Sequence, residues 1–382
     1  MLNPAISSKS LFFSLISASF LLNDSLYLHT EGFKPGELPD DDDTAMGKNR
    51  RGDKRERREA LANRERREEI RKAIGGDYAL KLTMEELRSE QSMLTKIKED
   101  PDGNLSMRTR TGKIKIAVID TGVDIEHEIL KNNILLNSGE MGEDSFGNPK
   151  QSNGIDDDGN GFIDDYAGWD FADQDNTAED KHGHGTHISG IIVSNDVEIL
   201  PLKFFKKGME SRQQILNTVN AIDYAIAREV DIINYSAGGG SYSFLEKAAI
   251  ARAKKAGIIF VAAAGNEATN TDITRYYPAS YGLSNIISVG NVDKSGKLLS
   301  SSNFGKSTVD VAAVGHEVYS SLPNNRYGKM TGTSQATAVV SRKLATYMRK
   351  SLYENKPIVI NNFLNLLATE TNLSGDFKYA KN

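Results

Sequence analysis

Residues 113–124 read KIKIAVIDTGVD. The apolar stretch 114–119 is too short for a buried helix and rich in β-branched residues, and it ends at Asp120 before a Thr-Gly turn, so it predicts a buried strand with a carboxylate at its end. After it, short β-branched runs alternate with longer amphipathic ones, the pattern of a parallel α/β sheet. Further strands are expected over 199–205, 231–235, 258–264, 286–289 and 309–313. Helices are expected over 211–229, where Ile215, Val219, Ile222 and Ile226 form one stripe, and over 244–255, 334–352 and 361–368. The fold class is therefore α/β, with a central, mostly parallel sheet.

The whole chain has 382 residues, 38% of them apolar, enough for one large domain or two ordinary ones. Its net charge of -5, from 47 basic and 52 acidic residues, exerts no global pull on nucleic acid or an anionic membrane. Without any cysteine, disulfides, thiol nucleophiles and cysteine-bound metals are excluded.

Ahead of the strand, Lys9 precedes an apolar run from Leu11 to Leu22 that is short for a bilayer span, and residues 1–24 read as a signal peptide. Secretion, or residence in the periplasm or cell envelope, is the corresponding expectation. Between Lys48 and Lys72 basic residues outnumber acidic ones about two to one and almost nothing is apolar. Residues 25–112 are expected to be a charged, helix-rich arm or propeptide with dibasic cleavage points, its interspersed glutamates arguing against nucleic-acid binding. Within it, Thr83 and Glu86 form a capping box. The catalytic domain is expected over 113–373 and a tail over 374–382.

In an open parallel sheet, reactive groups collect at the carboxyl ends of strands, where Asp120 falls. Residues 181–192, KHGHGTHISGII, crowd three of the six histidines into a glycine-rich entry to an apolar helix. The spacing argues against a zinc reading, because His184 and His187 lie three apart without the H-E-x-x-H carboxylate. His182 is expected in the loop, and His187 in a structural hydrogen bond. Residues 330–340, MTGTSQATAVV, start a helix of small residues at Ser334, where free backbone amides and the helix dipole favour a developing oxyanion.

Asp120 in DTGVD, His184 in HGTH with Gly190, and Ser334 in GTS, in that order along one α/β domain, resemble the subtilisin-like serine peptidases. The resemblance runs from about Lys113 to Leu373. It implies the three-layer fold of that family, with helices on both faces of the sheet, and an Asp120–His184–Ser334 triad. In AAAGNE it implies Asn266 as the oxyanion donor. YSAGGG resembles the strand that lines the specificity pocket and pairs with an extended substrate, with Ser236, Ala237, Gly238 and Gly239 as substrate-binding positions. Tyr277-Pro278 matches a family cis proline, and Tyr276 a pocket-floor position that narrows the pocket toward a modest apolar residue. Gln335 and Ala338 stand where the family commonly has methionine and proline. The implied activity is endopeptidase cleavage through an acyl-enzyme, with a protein or peptide substrate and no nucleic-acid partner. A monomer is expected, with no membrane contact beyond the signal peptide. Alternatives are a processing protease of narrow specificity and a catalytically silent binding scaffold, the latter disfavoured by the complete catalytic set.

In NGIDDDGNGFIDDYAGWD, Asp156, Asp158 and Asn160 alternate before Gly161, with Asp164 following. That is the spacing of hard oxygen ligands in a calcium loop, lacking the flanking EF-hand helices, so a structural calcium ion is the expected cofactor. Asp165 is a further candidate ligand.

Overall fold

The computed structural model describes residues 112–370. The signal peptide, all but the last residue of the expected arm, its capping box and the tail lie outside the described residues. Strand β1 is Ile114–Asp120, as its sequence predicts. It is followed by β2 (Trp169–Asp170), helix α1 (His184–Ile192), β3 (Val197–Lys203), α2 (Ser211–Ala227), β4 (Ile232–Tyr235), α3 (Phe244–Lys255), β5 (Ile259–Ala263), β6 (Ile286–Val292), β7 (Val311–Val314), β8 (Val318–Leu322), β9 (Arg326–Met330), α4 (Thr333–Tyr353) and α5 (Ile360–Glu370).

Seven strands form one sheet in the order β2-β3-β1-β4-β5-β6-β7. Every pairing in it is parallel. Buried on both faces, the central strands carry continuous apolar runs instead of alternation. One set of side chains, including Ile116, Val118, Ile232, Val261 and Val289, joins a core with Ile188 and Ile192 of α1 and Val340, Leu344 and Met348 of α4. The alternate set, including Ala117, Ile119, Leu200 and Phe260, is buried on the other face, where α2 and α3 pack on the sheet and on each other. This is the expected three-layer α/β architecture.

The chain moves from β1 to β3 on one side and returns to β4 on the other, so the order reverses between β1 and β4. A crevice outside the carboxyl ends of these strands is where such sheets bind ligands. Asp120 ends β1 and Ser236 follows β4, one at each side of that reversal.

The antiparallel hairpin β8–β9, with Val318 opposite Met330 and Leu322 opposite Arg326, was not anticipated. Its strands mix polar and exposed residues, so no apolar run marks them; Asn324 and Asn325 turn it at φ 65° and 54°. Ser320 and Ser321 donate to the carbonyls of His187 and Thr186, each at 2.8 Å, and His187 Nε2 lies 3.2 Å from Gly328 O. The hairpin thereby rests on α1 and delivers the chain to Ser334.

Candidate active site

Asp120 is almost fully buried, and its Oδ1 takes hydrogen bonds from Thr121 N at 2.8 Å and from His184 Nδ1 at 2.7 Å. The carboxylate fixes the proton on Nδ1, leaving Nε2 of the partly exposed imidazole as an acceptor. Burial pulls the His184 pKa down, but the charge and hydrogen bond of Asp120, with a further contribution from the charge of Asp180, outweigh it and leave it raised.

Ser334 is the second residue of α4, half-buried, in the first turn where backbone amides have no helical acceptor. Its hydroxyl donates to Ser236 O at 3.0 Å, and Ser236 Oγ donates to Ser334 O at 3.1 Å. Buried Asn234 reinforces this pair by donating to Ser236 Oγ at 3.0 Å. Thr333 N donates to Asn266 Oδ1 at 2.9 Å, which ties the loop after β5 to the start of α4. Asp120 thus ends β1 while Ser236 and Asn266 follow β4 and β5, three strands adjacent in the sheet, and the Thr333–Asn266 bond holds the start of α4 against the loop after β5.

Of the expected substrate-binding segment, Gly239 pairs antiparallel with Tyr277, with N–H···O distances of 2.8 and 2.7 Å. The Tyr277–Pro278 peptide bond is cis. The ring of Tyr276 fills the space between this segment and the loop bearing Asn266. A Cβ added to Gly238 would lie 2.5 Å from that ring and one added to Gly265 2.8 Å from it, so both close approaches require glycine. Asn303, which the sequence reading did not single out, accepts from Glu267 N and Thr269 N and donates to Glu267 Oε2 at 2.6 Å, fixing the loop after Asn266.

In the acidic loop the structure gathers Asp156 and Asp158 with Glu140, one oxygen of each lying within 4.8 Å of the others. Glu140 is fully buried; its Oε1 accepts from Asp157 N at 2.9 Å and its Oε2 has no hydrogen-bond partner. Burial, offset by that bond and added to by the charges of Asp165, Asp158 and Asp157, pushes its carboxyl up to about 7. A buried carboxylate with an orphaned oxygen, gathered with two further carboxylates, fits a hard divalent cation. Asp156 accepts from Asn160 N and Gly161 N, and Asp158 from Asn160 N and Asn137 Nδ2; the other expected ligands are hydrogen-bonded as well. Asp164 accepts Gly154 N on both oxygens, and Asn160 spends its carbonyl on Phe162 N and its amide on Asp165. Asp165 is buried against Tyr224, Asn137 and Arg228. Glu140 escaped the sequence reading because it lies outside the D-x-D-x-N stretch and reaches the loop only through the fold.

Comparison with known proteins agrees with this architecture. The subtilase family pattern matches residues 111–361, and the chain belongs to that family. It is similar to the major intracellular serine protease of Bacillus subtilis, 36% identical over 245 residues, covering 61% of this chain and 67% of that one. Similarity to subtilisin-like protease 1 of Plasmodium vivax is 31% over 284 residues, covering 67% of this chain and 44% of the relative. Thus the chain spans two thirds of the first relative and less than half of the second. A cold-adapted subtilisin-like serine proteinase of known structure shares the fold, with a TM-score of 0.53 at 24% identity over 73% of this chain and 87% of that one. By family the chain is a serine-type peptidase, a hydrolase whose substrate is a protein or peptide. Among the described residues, no helix is long and apolar enough to cross a membrane.

Proposed function

We propose that the chain is an active serine endopeptidase working through an acyl-enzyme. The observation that carries this reading is the 2.7 Å bond from His184 Nδ1 to the buried Asp120 carboxylate; Ser334, in the first turn of a helix, is the expected nucleophile. When a peptide enters the crevice, the Ser334 hydroxyl turns from Ser236 O to His184 Nε2, which takes its proton as Oγ attacks the scissile carbonyl. Asp120 holds the tautomer and stabilises the imidazolium. Asn266 Nδ2 and the Ser334 N–H receive the oxyanion. His184 then protonates the leaving amine, and water repeats the cycle on the ester.

An extended substrate adds to the edge offered by residues 236–239. Tyr276 limits the acyl-side residue to a small or medium apolar side chain. A cation of the calcium type, held by Glu140, Asp156 and Asp158, would neutralise three converging carboxylates and brace the loop before β2. Residues 1–24 support an extracytoplasmic address, and N-terminal sequencing of the mature protein tests it.

Casein hydrolysis by the full chain beside Ser334→Ala tests the central reading. Degradation by the wild type alone supports it, and equal inertness of the two supports the silent scaffold. If the wild type cuts few sequences in a peptide library, the narrow processing enzyme is the better description.

A further inference from the structure

Asp180 is four residues before His184, outside the triad, and nearly buried at 4% exposure. Its carboxylate accepts five hydrogen bonds. Oδ1 takes Thr121 Oγ1 at 2.9 Å, His182 N at 3.0 Å and Gly183 N at 2.7 Å. Oδ2 takes Thr186 N at 2.8 Å and Thr186 Oγ1 at 2.7 Å. Both ends of the Asp120–His184 contact are thereby tied to one group. Thr121 directly follows Asp120, and its Oγ1 also accepts Gly185 N at 3.0 Å; Gly183 and Thr186 bracket His184 at the start of α1. Thr186 Oγ1 in turn accepts Asp124 N at 3.0 Å, closing the loop after β1 onto the same helix.

We propose that Asp180 is a positioning residue of the peptidase, a second carboxylate that sets the Asp120–His184 register and adds negative charge behind the imidazole. This rests on the triad reading above. All five partners are donors, so the site demands an acceptor on both oxygens. An asparagine would turn an NH2 toward either the Thr186 N–H or the Gly183 and His182 N–H groups, setting donor against donor. A purely structural helix cap would need only one oxygen and no charge. The titratable groups facing His184 are Asp120 from β1, Asp180 from the preceding loop, His182 with ring centroids 6.4 Å apart, and His187 on α1. Asp120 and Asp180 both favour the imidazolium.

The test is the pH profile of kcat/KM, with kcat and KM separated, for the full chain and for Asp180→Asn and Thr121→Val. Asp180→Asn is expected to lower kcat about 10- to 100-fold with KM little changed, as for a misplaced catalytic group. Its acid limb is expected to move to lower pH, because one of the two charges favouring the imidazolium is gone. Thr121→Val keeps the charge and removes the tie to Asp180 together with the acceptor of Gly185 N, so kcat falls while the acid limb stays in place. Wild-type kcat and an unmoved acid limb in a folded Asp180→Asn enzyme overturn the proposal. Should Asp180→Asn not fold, Thr121→Val decides: reduced kcat at an unmoved limb supports the proposal, wild-type kcat overturns it. Labelling of Ser334 by a fluorophosphonate separates the two levels. A labelled wild type with an indifferent Asp180→Asn sinks only the positioning role, whereas an unlabelled wild type sinks the triad and this role with it.

Discussion

Thr333 N–H donates to Asn266 Oδ1 at 2.9 Å, so the orientation of the Asn266 amide is set by the residue beside Ser334, the proposed nucleophile. With Oδ1 engaged, Nδ2 is the end left to meet a substrate oxygen, and Asn266 is solvent-exposed. Because the oxyanion exists only after attack, this donor stabilises the transition state more than the bound peptide. Asn266→Ala is expected to lower kcat by about 10² to 10³, the loss seen for such a donor in a relative of this family, with KM nearly unchanged. Steady-state kinetics on a chromogenic peptide check it; a rise in KM at constant kcat would assign Asn266 to ground-state binding.

His184 must be neutral to accept the serine proton. Its raised pKa means that the protonated, inactive form persists to higher pH than in a free imidazole. The acid limb of kcat/KM is therefore expected above the ordinary value of about 6.5. In Asp120→Asn the main cause of the elevation is removed along with the tautomer lock. Its kcat is expected to fall on the order of 10⁴-fold, as for the corresponding carboxylates in serine peptidases. An acid limb well below 6.5 in the wild type would contradict this electrostatic account.

The Tyr276 ring stands between Gly238 and Gly265, and in the proposed reading it sets the depth of the acyl-side pocket. Tyr276→Gly opens that space, and kcat/KM for substrates with Phe or Leu at the cut is expected to rise relative to Ala by about 10-fold or more, a gain of the size that filling an apolar pocket provides. Profiling wild type and variant on one matched peptide series reads it. An unchanged ranking would place the pocket elsewhere.

Glu140 offers the loop an orphaned buried oxygen, so calcium binding is expected to raise Tm, and EDTA to lower it, by several degrees. Glu140→Gln is expected to abolish most of the calcium-dependent shift. Melting curves with and without calcium check this. An equal shift in both proteins would move the ion away from Glu140.

Much of the fold is written in local pattern. Strand β1 and helix α3 (Phe244–Lys255) match their predicted limits, and α4 differs by one residue at each end, because apolar runs and capping residues such as Ser243 act locally. Strand β3 begins two residues early, at Val197, where the alternating Val-Glu-Ile lacks the purely apolar character of the run that follows. Asp120, His184 and Ser334 stand out in the sequence because glycine-rich turns next to polar side chains are compact signals, whereas Asn266 is singled out only by the family resemblance. Hairpin β8–β9, Asp180 and Glu140 do not stand out. The hairpin is recognisable only through its seat on α1, and the two acids owe their character to partners that tertiary folding supplies: backbone amides and Thr121 for Asp180, and Asp156 and Asp158 for Glu140.

The most direct test of the central claim is fluorophosphonate labelling of the full chain, followed by peptide mass mapping, in wild type, His184→Ala and Ser334→Ala. The account predicts one adduct in the wild type, on Ser334, strongly slowed without the His184 base and absent from Ser334→Ala. An adduct on another serine, or labelling of Ser334 at the same rate without His184, would contradict it.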